Sequence, residues 1–133
     1  MLLPHGTLVA LVDGEKFELF NNAGNEGEPE LVAAVSPTLD VSNHSGASRH
    51  SVPGNHDDRQ VAEDVHAIAA TEWLNQQVQS HKLDGLVVIA SPRTLGEMRR
   101  HYHSELKLKL LGELDKDLTG RQGPEIIAAL RSK

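Results

Sequence analysis

Between positions 93 and 103 the chain carries Arg93, Arg99, Arg100, His101 and His103, with Thr94 beside the first of them. Guanidinium groups donate in a planar fork that matches phosphate, and imidazoles add donors whose charge changes near neutral pH. The chemistry of such a run is contact with an anion or with RNA. A solvated helix face accounts for the same residues, since basic side chains near a helix C-terminus complement its dipole. His44, His50 and His56 form a second set, with Asp57 and Asp58 close behind. Three imidazoles and a carboxylate could bind zinc, but the spacing matches no zinc motif such as His-Glu-x-x-His, and no metal is assigned. Asp13, Asp84, Asp115 and Asp117 are acids of the kind that hold Mg²⁺ in a nuclease. Turns explain Asp13 and Asp84 equally well, and the polar end of a strand explains Asp115 and Asp117. His66, between Val65 and Ala67, has no nucleophile near it in sequence and reads as a surface or hydrogen-bonded residue. No catalytic residue and no cofactor is therefore assigned, and the candidate anion- or RNA-binding set is Arg93, Thr94, Arg99, Arg100, His101 and His103.

Those residues need elements to hold them. Leu8 to Val12 is a continuous apolar run, and Asp13-Gly14 separates it from Phe17-Glu18-Leu19-Phe20. Asp-Gly between two such runs predicts a hairpin with a type I′ turn. Asn21 to Pro29 reads as a loop, and Leu31 to Val35 as a third strand completing a meander. From Pro37 to Asp58 the sequence is polar and without period, a long loop that is functional or flexible. A helix follows from about Asp58 to His81, with Asp57 or Asp58 as N-cap. Val61, Ala62, Val65, Ile68, Ala69 and Trp73 share one face, while Leu74 and Val78 fall on another, so the helix is buried on two sides or bends.

Leu86 to Ala90 reads as a central strand covered on both faces. Thr94-Leu95-Gly96-Glu97 has the form of a capping box opening a second helix, whose stripe is Leu95, Met98, Tyr102 and Leu106. That helix is expected to run to about Leu106 and a strand from about Lys109 to Lys116. Pro124 sits at the start of a last helix through Leu130. The order predicts a single α/β domain over 1–133, with a mixed sheet of about five strands and helices packed on it.

Composition narrows the function classes. Aromatic residues make up only 3% of the chain, namely Phe17, Phe20, Trp73 and Tyr102, so platforms for stacking bases are scarce. The net charge of −6 argues against broad affinity for nucleic acid or anionic lipid. That charge is uneven: residues 1–58 carry −7, 59–92 carry −2, and 93–133 carry +3. There is no cysteine, which excludes disulfides and thiolate metal sites. Met1 to Gly6 lacks the pattern of a secretory signal, and no run reaches the length of a membrane span, so the expected location is cytoplasmic and no membrane partner is assigned.

Several segments resemble the bacterial host attachment protein family, also described as proteins required for attachment to host cells. They are Leu3-Pro4-His5-Gly6-Thr7 leading to Val12-Asp13-Gly14-Glu15-Lys16, the stretch from Ser91 to His103, and Gly112-Glu113-Leu114-Asp115-Lys116-Asp117-Leu118-Thr119. That family is similar in turn to the middle domain of archaeal and eukaryotic peptide-chain release factors. The resemblance implies a ribonuclease-H-like α/β arrangement. In release factors the loop before the first long helix carries Gly-Gly-Gln, which promotes peptidyl-tRNA hydrolysis. Here the corresponding loop reads Ser45-Gly46-Ala47-Ser48-Arg49-His50-Ser51, and Gly-Gly-Gln occurs nowhere in the chain. The resemblance thus points to a cytosolic binding module whose partner is a ribosome, a tRNA or a protein. The alternative is a hydrolase acting on RNA or on aminoacyl- or peptidyl-tRNA esters. A third reading, a dimeric scaffold, would rest on Leu74 and Val78 being exposed.

Overall fold

The structure is a computed structural model that describes residues 1–39 and 58–132. Its strands are β1 (Leu8–Val12), β2 (Phe17–Asn22), β3 (Leu31–Ala34), β4 (Leu86–Ala90) and β5 (Leu110–Leu114), and its helices are α1 (Asp58–Gln79), α2 (Pro92–Arg99), α3 (Ser104–Lys109) and α4 (Gly123–Arg131). The sheet order is β3-β2-β1-β4-β5. The meander β1-β2-β3 is antiparallel, whereas β1, β4 and β5 run parallel, giving the mixed five-stranded sheet that the sequence predicts.

Strands β1 and β4 lie at the centre because every residue in them is buried, and such runs require cover on both faces. One face carries Leu8, Ala10, Val12, Leu86 and Val88 against α1, α2 and α3. The other carries Val9, Leu11, Val87 and Ile89 against Ile126 and Leu130 of α4, with Leu3 alongside. Burying one full set of these aliphatic side chains contributes about 1.5–3 kcal/mol per residue, so alternation along two short strands commits the chain to three layers.

The face of α1 predicted from Val61, Ala62, Val65, Ile68, Ala69 and Trp73 is not its core face, for of these only Ala69 is buried. Ala67, Ala70, Leu74 and Val78 face the sheet, so Leu74 and Val78 belong to the main core, and the reading of them as exposed docking positions is incorrect. Ala62 is exposed and Val61, Val65 and Ile68 are only half-buried, because the core-facing stripe of α1 is that of Ala67, Ala70, Leu74 and Val78. Trp73 meets the Phe17 ring edge-on at 5.6 Å. The helix ends in two bonds, His81 N–H to the Val78 carbonyl (3.0 Å) and Lys82 N–H to the Gln77 carbonyl (2.9 Å), with His81 at a left-handed φ of 58°. The N-cap expected at Asp57 or Asp58, the loop histidines and the loop from Pro37 onward fall largely outside the described residues.

Three local expectations are revised. The hairpin does not use a type I′ turn, since Gly14 is not at positive φ. Asp13 Oδ1 instead accepts the amides of Glu15 (2.7 Å) and Lys16, an arrangement that closes the turn without left-handed residues. Helix α2 starts at Pro92 with Ser91 as N-cap, so Thr94 is inside the helix and is not its cap. Proline lacks the N–H that a first helical position would leave unbonded, and that preference overrides the Thr-x-x-Glu pattern. The helix also stops at Arg99 and restarts at Ser104 where one unbroken helix to Leu106 was expected. The Asn75 side chain of α1 holds the gap open, donating to the His101 carbonyl at 2.9 Å and accepting from the His103 amide at 3.0 Å.

At the sheet's other side Asn22 is buried and fully bonded. Its amide donates to the Leu3 carbonyl at 2.7 Å, and its oxygen accepts the amides of Gly24 and Glu30 at 2.9 Å each. No helix among the described residues is long and apolar enough to cross a membrane.

Candidate binding crevice at the strand ends

Because β1 and β4 are parallel neighbours with Val12 opposite Ala90, the chain leaves both at the same end of the sheet. From β1 it proceeds outward through β2 and β3, then returns to place β4 on the other side of β1. A crevice opens where the strand order reverses in this way, and ligands of open α/β sheets favour that place. Here it has a volume of about 400 Å³.

The β1–β2 turn supplies one wall through Asp13, Gly14, Glu15 and Lys16. Arg59 and Glu63 supply a second from the first turns of α1, with the arginine Nε 3.9 Å from the carboxylate. Ser91, Arg93 and Thr94 come from the start of α2, and Asp117 from the segment after β5. The Ser91 hydroxyl makes no capping bond to the helix and lies 3.2 Å from the Thr94 hydroxyl, to which it donates. Arg93 reaches the Asp64 carboxylate at 3.4 Å and lies against the Gln60 side-chain amide.

Asp13 holds this end of the sheet together. Its Oδ2 accepts the Thr119 hydroxyl at 2.8 Å, the same hydroxyl lies 2.8 Å from Asp117 Oδ1, and His66 Nδ1 donates to the Asp13 backbone carbonyl at 2.8 Å. Burial pushes the Asp13 carboxyl up, but the amides of Glu15 and Lys16, the Thr119 hydroxyl and the nearby His66 together outweigh it and hold the group below the usual carboxylate range. His66 is thus a hydrogen-bonded helical residue in a structural role.

The structure divides the basic run in two. Arg93 and Thr94 are at the crevice. Arg99, Arg100, His101 and His103 lie farther along, each engaged locally. Arg99 grips Glu113 of β5 with Nη2 at 2.8 Å and Nε at 3.0 Å, and the Tyr102 hydroxyl donates to the same carboxylate at 2.7 Å. Burial, then Glu113 as acceptor and as a charge, pushes the Tyr102 phenol far above its ordinary range, so it stays protonated. Arg100 pairs with Glu97 at 3.4 Å. The His101 carbonyl and the His103 amide are held by Asn75, and His103 Nδ1 accepts the Glu105 amide at 3.2 Å, capping α3.

The four acids considered for Mg²⁺ do not converge. Asp13 and Asp117 share a threonine at the crevice, whereas Asp84 precedes β4 and lies at the opposite end of the sheet, beside a cleft of about 210 Å³. Among the described residues no group of three or more His, Asp or Glu side chains is placed to hold a metal ion. Lys16, Glu15, Arg59 and Glu63 were not singled out by sequence. The signal was present in the Asp-Gly turn after one buried strand and the Ser-Pro after another, since two parallel central strands must end side by side.

A comparison with curated proteins found no match. The model of the bacterial archaeo-eukaryotic release factor family 12 matches residues 6–130, which include both central strands, the crevice and the four described helices apart from the last residue of α4. The chain belongs to that release-factor-related family.

Proposed function

We propose that this protein is a recognition member of its family, acting in the cytoplasm on an RNA-containing partner, the ribosome or a tRNA, without carrying out hydrolysis. The observation that carries this reading is the family match over residues 6–130 in a chain with no Gly-Gly-Gln tripeptide. The exposed guanidinium groups of Arg93 and Arg100 would supply phosphate contacts; each now holds a carboxylate at 3.4 Å that an incoming phosphate can replace. Any influence on attachment to host cells, as the resemblance implies, would be an indirect consequence of that partnership, and surface labelling of the protein on intact cells would contradict it.

Affinity capture from native lysate, with and without nuclease, tests the reading. The wild-type protein is expected to retain ribosomal RNA or tRNA, and nuclease to release it. The double variant Arg93→Ala, Arg100→Ala should weaken capture by about tenfold or more, since a charge-assisted hydrogen bond contributes about 1.5–3 kcal/mol. Arg99 is left intact because its guanidinium is already committed to Glu113 at 2.8 Å. Capture that survives nuclease would instead identify a protein partner, and turnover of aminoacyl- or peptidyl-tRNA by the purified protein would identify a hydrolase. Either result refutes the proposal.

A further inference from the structure

The crevice at the ends of β1 and β4 has a chemical character that the RNA reading does not use. It is lined by charge of both signs and, among the described residues, by no aromatic or large aliphatic side chain. A nucleobase would find no aromatic ring to stack on there, and a hydrocarbon tail nothing to be buried against. Its volume of about 400 Å³ lies within the range of small-molecule sites, well below that of a groove for folded partners.

Charge decides the ligand class. A lone phosphate would meet Lys16, Arg59 and Arg93 but also Asp13, Glu15, Glu63 and Asp117, and a polyamine would meet those carboxylates but also the three cations. A ligand carrying one charge of each sign finds a partner for both. The groups left over point the same way. The Lys16 ammonium and the Glu15 carboxylate, neighbours on the turn, make no hydrogen bond or ion pair among the described residues. The Thr94 hydroxyl makes one hydrogen bond, with Ser91, and has the capacity for another. The wall that carries Glu15 and Lys16 is held in place by the three bonds to the Asp13 carboxylate and by His66, so little ordering is left for binding to bring about.

We infer that this crevice binds a small zwitterion of the free amino-acid class with a polar side chain, its carboxylate held by Lys16 and the Thr94 hydroxyl and its ammonium by Glu63 and Asp117. The inference rests on the crevice and is independent of the RNA partner, so each can fail alone.

Calorimetric titration of the intact protein with each of the free L-amino acids at about 1 mM tests it, with inorganic phosphate and spermidine as comparators. At least one polar amino acid is expected to bind more tightly than either comparator. Its N-acetyl and its C-terminal amide forms should each bind about tenfold more weakly, because each loses one charge-assisted contact. Lys16→Ala, at an exposed turn position, and Glu63→Gln should each weaken the parent amino acid similarly while the thermal unfolding midpoint reports an intact fold. Absence of binding by every amino acid overturns the inference. So does a blocked form that binds as well as its parent, tighter binding of phosphate or spermidine, or affinity that neither substitution changes.

Discussion

Asp13 illustrates how much one side chain can organise when its backbone position is chosen by a turn. Its carboxylate closes the β1–β2 turn, reaches Thr119 from a distant part of the chain, and leaves its own carbonyl to His66 of α1. Those bonds favour the ionised form, and they depress the group's pKa despite the opposing effect of burial. The sign of the linkage follows. A carboxyl whose folded pKa lies below its unfolded value of about 3.9 contributes its full stability above that value and loses it as pH falls through the depressed one. Asp13→Asn keeps an acceptor for the turn but cannot ionise. The stability difference between wild type and Asp13→Asn, measured by urea unfolding from pH 7 downward, is expected to be greatest at neutral pH and to shrink below about pH 4. A difference that does not change with pH would show that ionisation of Asp13 contributes nothing to folding.

At the scale of elements, the end of α1 shows a local rule broken and tolerated. The closing bonds of the helix require a left-handed residue at position 81, and histidine supplies it at φ 58° where glycine is the usual choice. A left-handed L-residue costs about 1–2 kcal/mol and glycine loses about 0.5–1 kcal/mol more chain entropy on folding, so His81→Gly should raise stability by roughly 0.5–1 kcal/mol. Chemical denaturation checks this, and a destabilised variant would mean that the exposed imidazole makes a contribution the bonds of the motif do not account for. The same contrast between local rule and tertiary context governs what was legible in the sequence. Strands β1 and β4 were plain because five consecutive apolar residues bounded by turn residues have few alternatives. The start of α2 was misplaced because Pro92 and Thr94 both qualify as signals within three residues, and its interruption was invisible because Asn75, 26 residues before His101, is what holds the gap open. Of the crevice, Arg93 and Thr94 were identified, but Lys16 and Glu63 were not, since only the parallel register of β1 with β4 brings the hairpin turn to the helix start.

For the molecule as a whole, stability depends on keeping both faces of the sheet covered. Among the described residues three helices share one face, whereas α4 covers the other through Ile126 and Leu130. The seating of α4 is set at its first residue. Gly123 is buried, and a Cβ there would lie 2.7 Å from the Leu31 backbone carbonyl of β3, which a strand cannot withdraw without disturbing its own pairing. The Gln122 amide donates to the Glu125 carboxylate at 3.4 Å, so the helix start has a bonded orientation and cannot rotate freely to relieve the clash. Gly123→Ala is therefore expected to destabilise by about 1–3 kcal/mol, the range for overpacking a well-filled core. Gly96→Ala is the control: it lies within α2, a Cβ there meets nothing within 4 Å, and helix propensity alone should make it neutral or stabilising by up to about 1 kcal/mol. Thermal unfolding separates the two, because each kcal/mol moves the midpoint of a chain this size by roughly 4 °C. If both substitutions shift the midpoint the same way, the close contact between α4 and β3 is not what anchors the second face. If Gly123→Ala lowers it while Gly96→Ala does not, cover of that face depends on a backbone approach that only glycine permits.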